Sequence, residues 1–175
     1  MEYKSISYSV SYRDIVHKNN IEAQDIINAK DCDALAVREK ILRLQDVMLS
    51  MPDKVECTNK HWFAPGVYGR EMLIPKGTVI IGKIHKHAHL NIVSRGKCSV
   101  MTEFGPMVID ATSTPHTFTS EPGTKRVVVA LEDVVWTTIH LNPTNTQDLE
   151  VLENEIIAKN YTELSFAEEI KECLP

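Results

Sequence analysis

The sequence predicts a mainly β protein: a double-sheet jelly roll with a helical extension before it and helices after it. Three observations carry this. From about His61 onward, turn residues recur every few positions, at Pro65-Gly66, Pro75-Lys76-Gly77, Arg95-Gly96, Phe104-Gly105-Pro106, Glu121-Pro122-Gly123 and Glu132-Asp133. Between them lie about eight short β-rich runs: YGREMLI, TVIIGKIH, LNIVS, KCSVMT, MVIDA, HTFTS, KRVVVAL and VVWTTIH. The flanking segments carry helical periodicity instead. The expected organisation is an N-terminal arm with helices over 1–60, a jelly-roll core over 61–142 and C-terminal helices over 143–175, together one structural unit.

In chain order, Tyr3, Ile6, Tyr8, Val10 and Tyr12 alternate loosely among serines, the pattern of an edge strand or an ordered arm. IEAQDIINA, from Ile21 to Ala29, reads as a short amphipathic helix. Asp33 then caps a longer one, in which Val37, Ile41, Leu44, Val47 and Met48 form an apolar stripe and Pro52 marks the end. Arg38, Glu39, Lys40, Arg43 and Asp46 flank that stripe as a solvated face. After Asn142-Pro143 the runs TQDLEVLENEIIAKN and TELSFAEEIKECL return to helix, with Thr146 or Asp148, and then Thr162, as N-caps. These helices offer more apolar stripe than one barrel covers, so a homo-oligomer is expected.

Composition excludes some classes of function. The chain has 175 residues and a net charge of -5, with no global field favouring nucleic acid. Four scattered cysteines, Cys32, Cys57, Cys98 and Cys173, make neither a CxxC pair nor a disulfide framework, which suits a reducing compartment. No apolar run approaches a membrane span and the N-terminus has no apolar signal region, so a cytoplasmic protein is expected. No Ser-His-Asp, Cys-His or phosphate-cradling motif is present.

The stretch GTVIIGKIHKHAHLNIVSRG, from Gly77 to Gly96, concentrates the chemistry. If Lys83 to His89 is extended, Lys83, His85, His87 and His89 point to one face. Alternate histidines on a strand can share a metal ion, or the row is a solvated edge. Residues four apart on a straight strand are about 13 Å apart, too far for one ion. A bend at the small residue Ala88 would bring His85 to His89 and leave Lys83 near the rim.

The spacing of this stretch resembles the first motif of the cupin superfamily: Gly, five residues, His-x-His, three or four residues, Glu, six residues, Gly. Gly77, His85 and Gly96 match, while Lys83 stands at the first His and His89 at the Glu. In that family two His and the Glu bind a metal together with a His from a second motif. That motif fits here in two registers. One places His116 at the ligand position; the other, within EPGTKRVVVAL, places Arg126 there. The second is preferred, because it leaves room for the hairpin KCSVMT, EFGP, MVIDA between the motifs. The runs YGRE, IPKGT, GKIHK with His89 and Asn91, PGTKR, and ED followed by VWTTIH also resemble small cupins of tailed-phage genomes. That resemblance implies a phage setting, in the host cytoplasm or in the virion, and no particular reaction.

Cupin strands roll their inner faces around one pocket. The expected ligand-binding residues are Lys83, His85, His87, His89 and Arg126, joined by Arg70, Trp136 and His140. Arg70 and Glu71 are adjacent on one strand, so only one faces the pocket; Trp136 shares parity with His140 and either fills the barrel or lines the site. His17 and His61 lack companions at ligand spacing. Arginine binds anions and lysine carries a proton, so the departures favour a small anionic ligand, a metabolite or nucleotide signal, held without catalysis. In an alternative reading His85 and His89, with His87 or His140, hold Fe, Mn, Ni or Zn in an isomerase, epimerase or oxygenase. His116 is the substitute ligand if Arg126 faces outward. In a third reading the jelly roll is a structural component of a phage particle.

Overall fold

A computed structural model of the chain describes residues 8–17 and 34–164. The expected helix at Ile21–Ala29, the cap Asp33 and the end of TELSFAEEIKECL lie outside the described residues. The elements are β1 Tyr8–Ser11, α1 Tyr12–His17, α2 Ala34–Ser50, β2 Thr58–Ala64, β3 Gly66–Ile74, β4 Thr78–Ile81, β5 Ile84–His85, β6 His89–Thr102, β7 Gly105–Ala111, β8 His116–Ser120, β9 Arg126–Ala130, β10 Val134–Asn142, α3 Leu149–Ile156 and β11 Ile157–Ala158. The fold is a mainly β jelly roll.

Two curled antiparallel layers face each other. The first runs β1, β4, β9, the C-terminal half of β6, and β7; the second runs β8, the N-terminal half of β6, β10, β3 and β2. LNIVS and KCSVMT, which read as two strands, are one 14-residue strand. It changes sheet near Gly96, whose φ is 93°. A Cβ at Gly96 would lie 2.1 Å from the Asp133 carbonyl oxygen, so only glycine admits the crossing. TVIIGKIH, conversely, is two strands, because the chain leaves the sheet at Gly82.

Alternation along the strands builds two cores. Ile74, Ile80, Val93, Val100, Val128, Val134 and Trp136 point inward between the sheets. From the same strands Val79, Ile81, Val127 and Val129 point outward, where Val37, Ile41, Leu44 and Met48 of α2 cover them. The apolar stripe of α2 therefore packs on the first sheet within the chain. Exposed apolar side chains remain at Leu42 and Leu49 of this helix and on the outer face of the second sheet, at Trp62, Leu90 and Leu141. Arg38 leaves the expected solvated face and pairs at 3.2 Å with Glu103, whose side chain is buried.

The N-terminal arm pairs β1 with β4 and so extends the first sheet. β2, which the sequence reading did not mark as a strand, extends the second through the turn at Pro65-Gly66. Asp148 caps α3 by accepting from Glu150 and Val151 N–H. In the next turn Asn160 accepts from Glu163 N–H at 3.0 Å, in the capping role expected of Thr162. No helix among the described residues is long and apolar enough to cross a membrane.

Substituting Gly96 by Ala should cost at least about 3 kcal/mol of unfolding free energy, through backbone overlap and the positive φ together. Gly66→Ala, where the added Cβ meets nothing within 4 Å, should cost only the left-handed penalty of about 1–2 kcal/mol. Urea denaturation of both variants measures the difference.

Candidate functional site

Register places the site. Across the second sheet, Phe63 pairs with Tyr68, Tyr68 with His140, and His89 with Ser120. The next inward row is His61, Arg70, Thr138, Asn91 and Phe118; the third is Asn59, Met72, Trp136, Val93 and His116. Because faces alternate, Arg70, His89, Asn91, Trp136 and His140 share the inner surface. Glu71 takes the outer face, where it pairs with Lys60 at 3.4 Å.

His85 arrives from the opposite wall. The chain bends over Lys86 to Ala88, between β5 and β6, so the rings of His85 and His89 stack with centroids 4.1 Å apart. His140 completes a triangle, its ring 5.0 Å from His85 and 4.8 Å from His89. The ring nitrogens these residues can offer lie within 4.8 Å of one another. All three are buried, at 8%, 6% and 7% exposure.

Burial is the first cause of their depressed basicity. It takes His89 down to about 4 and His140 to about 3, the latter also opposed by the charges of His89 and Arg70. His85 falls well below the usual imidazole range, by burial and then by its two histidine neighbours. The trio is neutral at pH 7. His89 Nδ1 donates to the His87 carbonyl at 3.3 Å, which leaves Nε2 with a lone pair, and His85 Nδ1 is buried with no hydrogen-bond partner among the described residues.

Arg126 enters from β9, on the inward parity it shares with Val128. Gly82 makes space for its stem, since a Cβ there would meet Arg126 Cγ at 3.2 Å. The guanidinium donates to Ser120 Oγ and lies 5.7 Å from the ring centroids of both Phe118 and Trp136. Asn91 ties the group together: Oδ1 accepts from Trp136 Nε1 at 3.0 Å and from Arg126 at 3.5 Å, while Nδ2 donates to Ser120 Oγ at 2.7 Å. Burial lowers Arg126 to about 10, with the charge of Glu103 acting in the other direction. Arg70 is also lowered by burial, and its guanidinium makes no hydrogen bond or salt bridge among the described residues.

Two cavities meet at Arg70 and His85. One, of about 70 Å³, lies inside the barrel between Lys83, His89, Arg126 and Trp136. The other, of about 80 Å³, lies under α3 and is lined by His61, Tyr68, His140 and Glu153. Lys83 sits at the junction and pairs with Glu153. His61 Nδ1 and the Tyr68 hydroxyl are 2.8 Å apart, which makes His61 part of a cavity wall rather than an isolated surface residue.

Two expected site residues fall elsewhere. His87 is exposed, because the bend that joins His85 to His89 turns it outward. His116 is exposed at the opposite end of β8 from Ser120, away from the trio, and cannot substitute as a ligand. The sequence reading missed Ser120, Tyr68 and Glu153. Parity across the Pro65-Gly66 hairpin signals Tyr68; Glu153 reaches the cavity only through the return of the C-terminal segment.

No protein-family model matches the sequence, and no curated protein matches it. Solved structures that resemble the fold include KdgF from a Halomonas species, at 18% identity and TM-score 0.44 over 56% of this chain and 88% of that one. A cupin domain from Bordetella pertussis is 13% identical, with TM-score 0.41 over 53% and 99% of the two chains. Ectoine synthase from P. lautus is 14% identical, with TM-score 0.46 over 61% and 77%. The likeness is to barrels of this architecture and transfers no residue role.

As pH falls, each buried imidazole takes up its proton in the unfolded chain at a higher pH than in the folded one. Their contribution to stability is therefore complete above pH 6.5 and declines as pH falls from there toward 4 and 3. In the presence of a chelator the urea midpoint should fall steeply between pH 7 and pH 4. His89 alone accounts for ~3 kcal/mol of this by the pKa-to-energy conversion, and His89→Gln should flatten the profile.

Proposed function

We propose that the protein is a pocket protein of cupin-like architecture that binds a small anionic molecule, carboxylate or phosphate in character, without catalysing its conversion. One observation carries this: two half-buried arginines, Arg70 and Arg126, face a barrel interior whose lining contains no carboxylate among the described residues. Buried cations need a counter-charge. The carboxylates that come near are engaged at the margins, Glu153 with Lys83 and Glu103 with Arg38. A ligand anion supplies the missing charge. Trp136, Met72 and Val128 bound it with apolar surface, and the neutral imidazoles exchange hydrogen bonds with it. The resemblance of the short sequence runs to phage-encoded cupins supports a role in the infected host's cytoplasm, as a pocket that withdraws a metabolite or nucleotide signal.

The test is calorimetric titration of chelator-treated protein with malonate, citrate, 2-oxoglutarate, glucose 6-phosphate and AMP. At least one should bind. Arg126→Gln and Arg70→Gln should each weaken binding at least about tenfold, the scale of one lost charge-assisted hydrogen bond. Arg95→Gln, an exposed control, should leave affinity unchanged. Equal affinity in Arg126→Gln and wild type, or no binding by wild type across the panel, would overturn the assignment.

A further inference from the structure

We infer that the cavity under α3 is a hydroxyl-binding subsite, and that the ligand is a small hydroxylated acid whose carboxylate or phosphate lies toward Arg126 while its hydroxyl-bearing end lies beneath α3. The two cavities meet at Arg70 and His85, so one molecule can occupy both. Most of the wall under α3 comes from β2, β3 and the C-terminal return, outside both motif stretches. The placement of the acid group rests on the anion-binding reading above; the hydroxyl subsite does not.

Unused acceptors define what enters. Asn59 Nδ2 donates to the Cys57 carbonyl at 3.0 Å, which leaves Oδ1 buried with no hydrogen-bond partner among the described residues. His85, itself only 8% exposed, has a buried Nδ1 in the same condition. The Tyr68 hydroxyl and His61 Nδ1 share one hydrogen bond at 2.8 Å; whichever donates, the Tyr68 oxygen retains a lone pair. Glu153, paired with Lys83, has lone pairs to spare on its carboxylate. Buried acceptors without donors are costly, and a ligand bearing O–H or N–H groups relieves that cost.

Charge separates hydroxyl from ammonium. Arg70 already stands in this wall, and burial first, with its charge among the further causes, lowers the basicity of His61 and His140. A ligand ammonium would meet the same repulsion, whereas a neutral hydroxyl meets none. Leu149, Leu152 and Ile156 line the same cavity from α3, so the ligand turns its C–H face to the helix and its hydroxyls to the strands. Spaces of about 80 and 70 Å³ together match the roughly 150 Å³ cavity that holds one benzene. That size suits a short-chain acid better than a nucleotide.

The experiment is calorimetric titration of the full chain in EDTA with two matched series: butyrate, 4-aminobutyrate and erythronate, then propyl phosphate and glycerol 3-phosphate. Erythritol serves as the polyol without an anion. Erythronate should bind at least about tenfold tighter than butyrate, or glycerol 3-phosphate than propyl phosphate, the scale of one hydrogen bond to a buried acceptor. The series that binds tighter identifies the anionic group. Asn59→Leu and Tyr68→Phe, checked for folding by circular dichroism, should each bring the ratio toward one. Lys60→Gln, exposed on the outer face of the same strand as Asn59, should leave it unchanged. Equal affinity within both pairs, or 4-aminobutyrate binding tighter than erythronate, overturns the hydroxyl subsite while the anion pocket stands. Wild-type ratios in both folded variants overturn its location under α3. Erythritol binding as tightly as erythronate overturns the anion reading and keeps the subsite; binding by none of these compounds overturns both.

Discussion

The structure depends on one strand serving two sheets. β6 pairs with β8 and β10 through its first half and with β7 and β9 through its second, and the change occurs at Gly96, against the Asp133 carbonyl. The same strand thereby delivers His89 and Asn91 to the pocket and Cys98 and Val100 to the inter-sheet core. A side chain at the crossing would push the sheets apart and separate the wall bearing His140 from the wall bearing Arg126. Pocket geometry and core packing are thus set by one backbone contact.

Inside the pocket the governing term is desolvation. Three imidazoles and two guanidiniums occupy one interior, and an imidazolium added to the guanidiniums would be opposed both by burial and by like charge. The imidazoles yield and stay neutral; the arginines, with far higher intrinsic basicity, remain charged. The result is an interior with lone pairs on one side and fixed cations on the other. Asn91 stands between them, reaching Arg126 and Trp136 with its oxygen and Ser120 with its amide. Cys57 and Cys98 take no part. Both are buried, and burial raises their thiols, Cys98 to about 11, so they behave as small core residues.

Much of this was legible locally. Turn residues and β-branched runs gave the strand positions, and parity in VVWTTIH put Trp136 and His140 on one face, as the structure has them. The motif spacing pointed to His85, His89 and Arg126, which converge. What local reading could not supply was long-range. The continuity of β6 through Gly96 looks like a turn, because Arg95-Gly96 has turn composition while the positive φ here serves a crossing. His87 shared a face with its neighbours only on the straight-strand reading, and the bend raised at Ala88, which spans Lys86 to Ala88, turns it outward. The stripe of α2 marked a packed helix, but a helix's apolar stripe does not say which sheet covers it. Arg38 was read as solvated because its partner Glu103 lies 65 residues away.

The C-terminal return has one further consequence. β11 pairs with β5 at His85 itself, Lys86 N–H donates to the Ile156 carbonyl, and Lys83 and Lys86 are held by Glu153 and Glu163. The segment that carries α3 is therefore both a wall of the cavity and a clamp on the strand that bears a pocket histidine. Loosening this segment would therefore free the strand that carries His85 and open the cavity wall bearing Glu153 in one event.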